Sequence, residues 1–159
     1  MIKVTITWSK ETSRLSNIAL STLDYLDQKG FYAIYASVYN KETKKVTHKK
    51  LLYIGQSFEQ KIRDRLKQPH DADDCMKKEK KDEPNSDLWF RTGIITKKDQ
   101  ERETQQLFND IECCMIYTSK PKCNTLCMES YEEKKIEITH VNAHARAHAD
   151  DAPCRSDVT

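Results

Sequence analysis

Two short runs of aromatic and branched apolar residues, Tyr32-Ala33-Ile34-Tyr35 and Leu51-Leu52-Tyr53-Ile54-Gly55, constrain the fold of this chain more than any other feature. Such side chains favour extended backbone, and the stretch between them, residues 40–49, is polar and basic. The expectation is an antiparallel hairpin over residues 31–39 and 50–55. Because side chains alternate between faces with period two, Phe31, Ala33, Tyr35 and Ser37 should share a face, with Tyr35 opposite Tyr53.

The flanking sequence supplies further elements. Residues 2–8 alternate as a strand. Leu15, Ile18, Ala19, Thr22, Leu23 and Leu26 recur at helical spacing, which predicts a helix over 13–27 with Gly30 as its C-cap. Ser57, with Gln60 three residues on, reads as a capping box opening a helix striped by Phe58, Ile62 and Leu66. Residues 70–86 read as a short helix plus a loop, 87–96 as a third strand, and 98–117 as the clearest helix. That helix is apolar on Leu107, Phe108, Ile111, Cys114 and Met115 and is ended by Pro121. The alternation at Ile136-Glu137-Ile138 suggests a terminal strand, and the small and polar residues from Asn142 onward a disordered tail.

Length and composition narrow the function classes. At 159 residues one domain is expected, and with 37% apolar and 33% charged residues its core should be small. The net charge of +2 gives no global attraction to nucleic acid. Lysines nevertheless cluster at 41, 44, 45, 49 and 50 and again at 77, 78, 80 and 81, as phosphate contacts or simply as solvated loops. Only three glycines occur, which excludes GxGxxG and Walker-type cradles and so argues against a nucleotide cofactor. No run approaches the ~20 apolar residues of a membrane span, and no signal-peptide pattern opens the sequence. A cytoplasmic protein with its six cysteines reduced is expected. Cys123 and Cys127 with Cys113 or Cys114 form a loose zinc spacing without a CxxC pair. His140, His144 and His148 form another loose metal spacing.

Glu112 falls between Phe108 and Ile116 on the helical wheel, extending a buried face. A carboxylate there is costly unless it is paired or holds a metal. Arg65 lies beside Phe58 at one margin of its stripe, where packing could hold the stem while the guanidinium faces a cleft; Arg63 lies on the other flank.

In this order the residues resemble the GIY-YIG nuclease family. Ala33-Ile34-Tyr35 stands for the first signature, with Ala in place of Gly, and Tyr53-Ile54-Gly55 is the second. Arg65-Leu66-Lys67-Gln68-Pro69-His70 looks like the arginine-bearing helix end, and Glu112 with Asn124 matches the closing elements. The resemblance spans residues 31–125. It implies an α+β fold, a small three-stranded antiparallel sheet flanked by helices, with 1–30 as an N-terminal extension, 126–141 as a C-terminal extension and 142–159 as a tail.

The implied activity is a divalent-metal-dependent DNA endonuclease. Glu112 would hold Mg²⁺ or Mn²⁺ with mostly water as its other ligands. Arg65 would clamp the scissile phosphate; the family's usual interval from Tyr53 points instead to Arg63, the second choice. Tyr53 would activate water with Tyr35 in support, and His70 would protonate the leaving oxygen, contact phosphate or relay a proton. Asn124 would fix backbone or a substrate phosphate, and the basic loop (Lys44, Lys45, Lys49) would contact DNA. A double-strand cut by a single-site enzyme calls for two active sites, which a homodimer would supply. The alternatives are a non-catalytic nucleic-acid-binding module and a Cys/His metal-binding regulator.

Overall fold

The central strand of the molecule, β3 (Gly30–Asn40), is buried along most of its length because helices and loops cover both of its faces. The computed structural model describes residues 1–99, 102–130 and 136–142, together with the backbone of 154–158. Around β3 lie β1 (Ile2–Trp8), β2 (Ser13–Arg14), β4 (Lys45–Ser57), β5 (Ser86–Lys98), β6 (Ile136–Val141) and β7 (Cys154–Val158). The helices are α1 (Ile62–Lys67), α2 (Asp73–Asp82) and α3 (Gln105–Ser119). The strands form one sheet in the order β4-β3-β5-β1-β6-β7, with β2 pairing β5. The β1–β6 and β6–β7 pairs are parallel and the others antiparallel.

On one face α3 packs Leu107, Phe108, Ile111 and Met115 onto Ile2, Val4, Ile6, Phe31, Ala33, Ile54 and Ile138. On the other, Ile62 and Leu66 of α1 and Met76 of α2 join Leu26 over Tyr32, Ile34, Leu52 and Phe90. The fold is therefore α+β, but the sheet is seven-stranded and mixed rather than three-stranded. Nor is the N-terminal segment an appended extension. β1 lies between β5 and β6, and its Ile2, Val4 and Ile6 are core residues.

Several local expectations give way to tertiary contacts. Residues 13–27 form no α-helix, only β2, a 3₁₀ turn at Leu15–Asn17 and turns beyond it. Their carbonyls bond outward instead of along a helix: the Arg63 guanidinium donates to those of Ile18, Ala19 and Ser21, and Thr92 Oγ1 to that of Asp24. Gly30 is not a helix cap; it opens β3, and the Gly93 carbonyl occupies the space a Cβ would need. Ser57 ends β4 and donates to the Gln60 carbonyl, while Lys61 is the residue before α1. The stripe from Phe58 is divided accordingly. Phe58 meets Phe108 on the α3 face (ring centroids 5.0 Å apart), and Ile62 and Leu66 lie on the opposite face. The longest helix begins at Gln105, after Thr104 accepts from the Leu107 amide at 3.1 Å. It ends at Ser119, with Lys120 left-handed (φ 48°) ahead of Pro121.

The cysteines are not the expected thiols. Cys75–Cys123 and Cys113–Cys127 are disulfides, with Cα–Cα separations of 5.7 and 5.3 Å. Bonded sulfurs cannot act as thiolate ligands, which dissolves the loose zinc spacing at Cys113, Cys123 and Cys127. They also remove one ground for expecting a cytoplasmic protein. The expected tail contains a strand at Cys154–Val158; residues 143–153 and 159, with His144 and His148, lie outside the described residues. His140 is a buried β6 residue whose Nδ1 accepts from Trp8 Nε1 at 2.9 Å, and so is not on a helix. Among the described residues no helix is long and apolar enough to cross a membrane.

Candidate active site

β4 holds two residues more than β3 needs, Leu52 and Lys49. Ile34 pairs with Tyr53 and Tyr35 with Leu51, so Leu52 is left unopposed as a bulge. Leu52 and Tyr53 consequently pack on the same side, against the α1/α2 layer. The two tyrosines expected to face one another are separated because Tyr53 pairs with Ile34, whose side chain is on the Tyr32 face, while the next residue, Tyr35, is on the other. Tyr35 points to the α3 face, stacked on His48 with centroids 4.2 Å apart, and burial there pushes its phenol pKa up. Tyr35 is thus not at the site; the structure brings Tyr32 there instead.

The Tyr32 ring stacks beside Tyr53 (6.2 Å), and its hydroxyl lies 2.7 Å from His70 Nε2. Both rings meet the His70 imidazole edge-on, at 5.7 and 5.4 Å. Gly55 pairs with Tyr32 across the strands, and a Cβ there would run into the phenol, with Tyr32 Cε2 only 2.8 Å away. The glycine of Tyr53-Ile54-Gly55 is thus needed for room. Gly30-Phe31-Tyr32 is also a Gly–apolar–Tyr triplet, which Ala33-Ile34-Tyr35 is not. Preferring the triplet that retains its glycine would have found Tyr32 from sequence.

The hydrogen bonds fix the His70 tautomer. Nδ1 lies 2.9 Å from the Gln68 carbonyl, which can only accept. The proton is therefore on Nδ1, and Nε2 accepts from the Tyr32 hydroxyl. Burial first, then the Arg65 charge, holds the His70 pKa below its ordinary value, which keeps the ring neutral near pH 7. The His70 amide donates to Asp73 at the start of α2, anchoring this turn (3.0 Å).

Arg63 and Arg65 diverge on α1. Arg63 donates to Ile18 and Ser21 carbonyls at 2.7 and 2.9 Å and to the Asp27 carboxylate at 3.0 Å. Arg65 makes one hydrogen bond, to the Pro69 carbonyl at 3.3 Å, and has no carboxylate at ion-pair distance among the described residues. Its charge acts on Tyr32, Tyr53, His70 and Glu112 together.

Glu112 enters from α3 and accepts a hydrogen bond from the Gln56 amide. Burial raises its pKa to about 7, against the opposing pull of Arg65 and that amide. Burial also raises Tyr32 and Tyr53, and Tyr53 is raised further by Glu112. Tyr53, Asp71, Asn109 and Glu112 line a cleft of about 580 Å³. Among the described residues no group of three or more His, Cys, Asp or Glu is placed to hold a metal. Mg²⁺, however, is commonly held by one or two carboxylates with water and substrate phosphate. A desolvated carboxylate with a raised pKa, in a cleft that also holds the oxygens of Asp71 and Asn109, fits that ion.

Asn124 also lines this cleft and fixes backbone. Its side chain brackets one peptide unit of β4, accepting from the Ile54 amide (2.9 Å) and donating to the Ile54 carbonyl (3.0 Å). With the Lys122 and Cys123 amides bonded to Leu51 and Leu52, the segment after α3 covers the β4 edge. Lys44, Lys45 and Lys49 are exposed near the hairpin tip, roughly 13–30 Å along the strand from Tyr53. No protein-family model, curated protein or solved structure matches this chain.

Proposed function

We propose that the protein is a divalent-metal-dependent endonuclease that hydrolyses phosphodiester bonds of DNA in the cleft bounded by Tyr53 and Glu112. The observation that carries this reading is the convergence of Tyr32, Tyr53, Arg65, His70 and Glu112 from four elements and a turn toward one sheet edge. A fold has little structural reason to leave a half-buried carboxylate with a raised pKa beside an arginine that has no ion-pair partner among the described residues. A phosphodiester supplies what both lack: oxygens for the guanidinium and a reason for a cation on Glu112.

In this reading Arg65 binds the scissile phosphate and offsets its developing charge. The high phenol pKa values argue against a standing phenolate, so Tyr32 acts as a relay. Its oxygen accepts a proton from the attacking water as its own proton moves to Nε2 of neutral His70. Tyr53 orients that water beside Glu112. A cation on Glu112 would supply charge neutralisation at the phosphate. Gln56 and Asn124 hold the geometry, the first through its amide to Glu112 and the second by fixing the Ile54 peptide.

The test is incubation with supercoiled plasmid, with and without Mg²⁺, beside Glu112→Ala. Metal-dependent nicking by the parent and its loss in the variant are expected. Absence of nicking by the parent would sink the activity for duplex DNA, and nicking that survives in Glu112→Ala would refute the metal assignment.

A further inference from the structure

A second groove, of about 740 Å³, lies on the α3 side of β3–β5 toward the hairpin tip, lined by Lys10, Tyr39, Lys44, His48, Trp89 and Arg91. Arg91 is only 3% exposed. Its Nη1 donates to the Asn142 carbonyl at 2.9 Å, but Nε and Nη2 have no acceptor among the described residues. No carboxylate there lies within ion-pair distance of it. Trp89 Nε1, two residues away on the same strand face, is likewise buried without an acceptor. Unmade hydrogen bonds and an uncompensated buried cation are costly, and two of them share one groove.

The geometry indicates what is missing. The Nε–Nη2 edge of a guanidinium presents two parallel N–H bonds, matched to a phosphate or carboxylate. Around it lie flat rings: Tyr39 on Trp89 at 6.0 Å and Tyr35 on His48 at 4.2 Å. Arg14 caps Trp89 at 5.0 Å. Asp87 is already engaged by Arg14 and Lys80, at 3.1 and 3.2 Å, which leaves Glu11 as the carboxylate of the lining against Lys10, Lys44 and Arg91. Cations at the rim and base of a groove walled by aromatic rings are the chemistry of strand binding by stacking and phosphate contact.

We propose that this groove binds a single-stranded nucleic-acid segment, with a phosphate on the Nε–Nη2 edge of Arg91 and a base against Tyr39 and Trp89. It is separate from the Glu112 cleft. His48 is roughly 16 Å along β4 from Tyr53, about five base steps at 3.4 Å each. Binding here requires no cleavage, so the inference stands independently of the nuclease reading.

The test uses a 12-nucleotide single-stranded DNA in EDTA, followed by tryptophan fluorescence and by anisotropy of a labelled strand. Trp89 is in the groove, whereas the other tryptophan, Trp8, is buried against His140. Saturable quenching is expected in the parent and not in Trp89→Phe. Half-buried Tyr39→Ala should weaken binding about tenfold, and Arg91→Lys, which keeps the charge but not the fork, should do likewise. Circular dichroism checks that both variants fold. Parent-like affinity in folded Tyr39→Ala and Arg91→Lys, or no binding by the parent, would overturn the proposal. So would quenching by polyglutamate but not by the oligonucleotide, which would assign the groove to an acidic protein. A plasmid that is not nicked while the oligonucleotide still quenches Trp89 would count against the nuclease reading alone.

Discussion

Arg63 and Arg65 show how far two like residues on one short helix can differ. Arg63 ties down the irregular segment before β3, so Arg63→Ala should leave the Ile18 and Ser21 carbonyls short of a donor and cost about 2 kcal/mol. Arg65→Ala removes one long hydrogen bond to a backbone carbonyl. It should change the melting temperature little while lowering plasmid nicking by about 10²–10³-fold. Thermal melts and nicking rates on the two variants separate the roles, and a reversal of the pattern would exchange them. Glu112 yields a pH prediction. Folding raises its pKa from 4.5 to about 7, so the folded protein binds more protons than the unfolded chain between those values. Metal-free stability should therefore fall as pH rises through that window. Glu112→Gln should flatten that slope and melt several degrees above the parent at pH 8 in EDTA. Mg²⁺ should stabilise the parent at pH 8 and leave the glutamine variant unmoved.

At the scale of elements, the site depends on the segment after α3 being held against the β4 edge. Two disulfides do this, one to α2 and one to α3 itself, closing sequence separations of 48 and 14 residues. Loop-closure entropy assigns them about 4 and 3 kcal/mol. Dithiothreitol should lower the melting temperature markedly, and Cys75→Ala/Cys123→Ala alone should account for the larger share. Because Cys113 adjoins Glu112 and Asn124 lies between Cys123 and Cys127, reduction should also reduce nicking before the protein unfolds. Equal melts in reduced and oxidised protein would show that packing alone holds this edge.

Across the whole molecule, β1 joins the two halves of the sheet, pairing β5 on one side and β6 on the other. Its Ile2, Val4 and Ile6 lie under α3, the helix that carries Glu112. Deleting residues 1–8 should therefore abolish folding of the entire domain, not trim an extension, with loss of the cooperative thermal transition by circular dichroism. A truncated protein that still melts cooperatively near the parent temperature would contradict that integration.

The pattern of residue types was enough to indicate the hairpin, the third strand, α3 and the alternating strand at residues 2–8, because period-two and 3.6-residue apolar spacing express local burial. It also singled out Tyr53, Arg65, His70 and Glu112 as candidates, and these are the groups that meet at the β4 edge. What it could not give was long-range: the partners of β1, the disulfide pairs, and the fate of residues 13–27, whose helical spacing yields to carbonyl bonds with Arg63 and Thr92. The tyrosine pair was decided the same way. The register that sets Tyr53 opposite Ile34 rather than Tyr35, invisible to periodicity, puts Tyr53 on the face of Tyr32 and leaves Tyr35 on the opposite one, since a shift of one residue exchanges the faces.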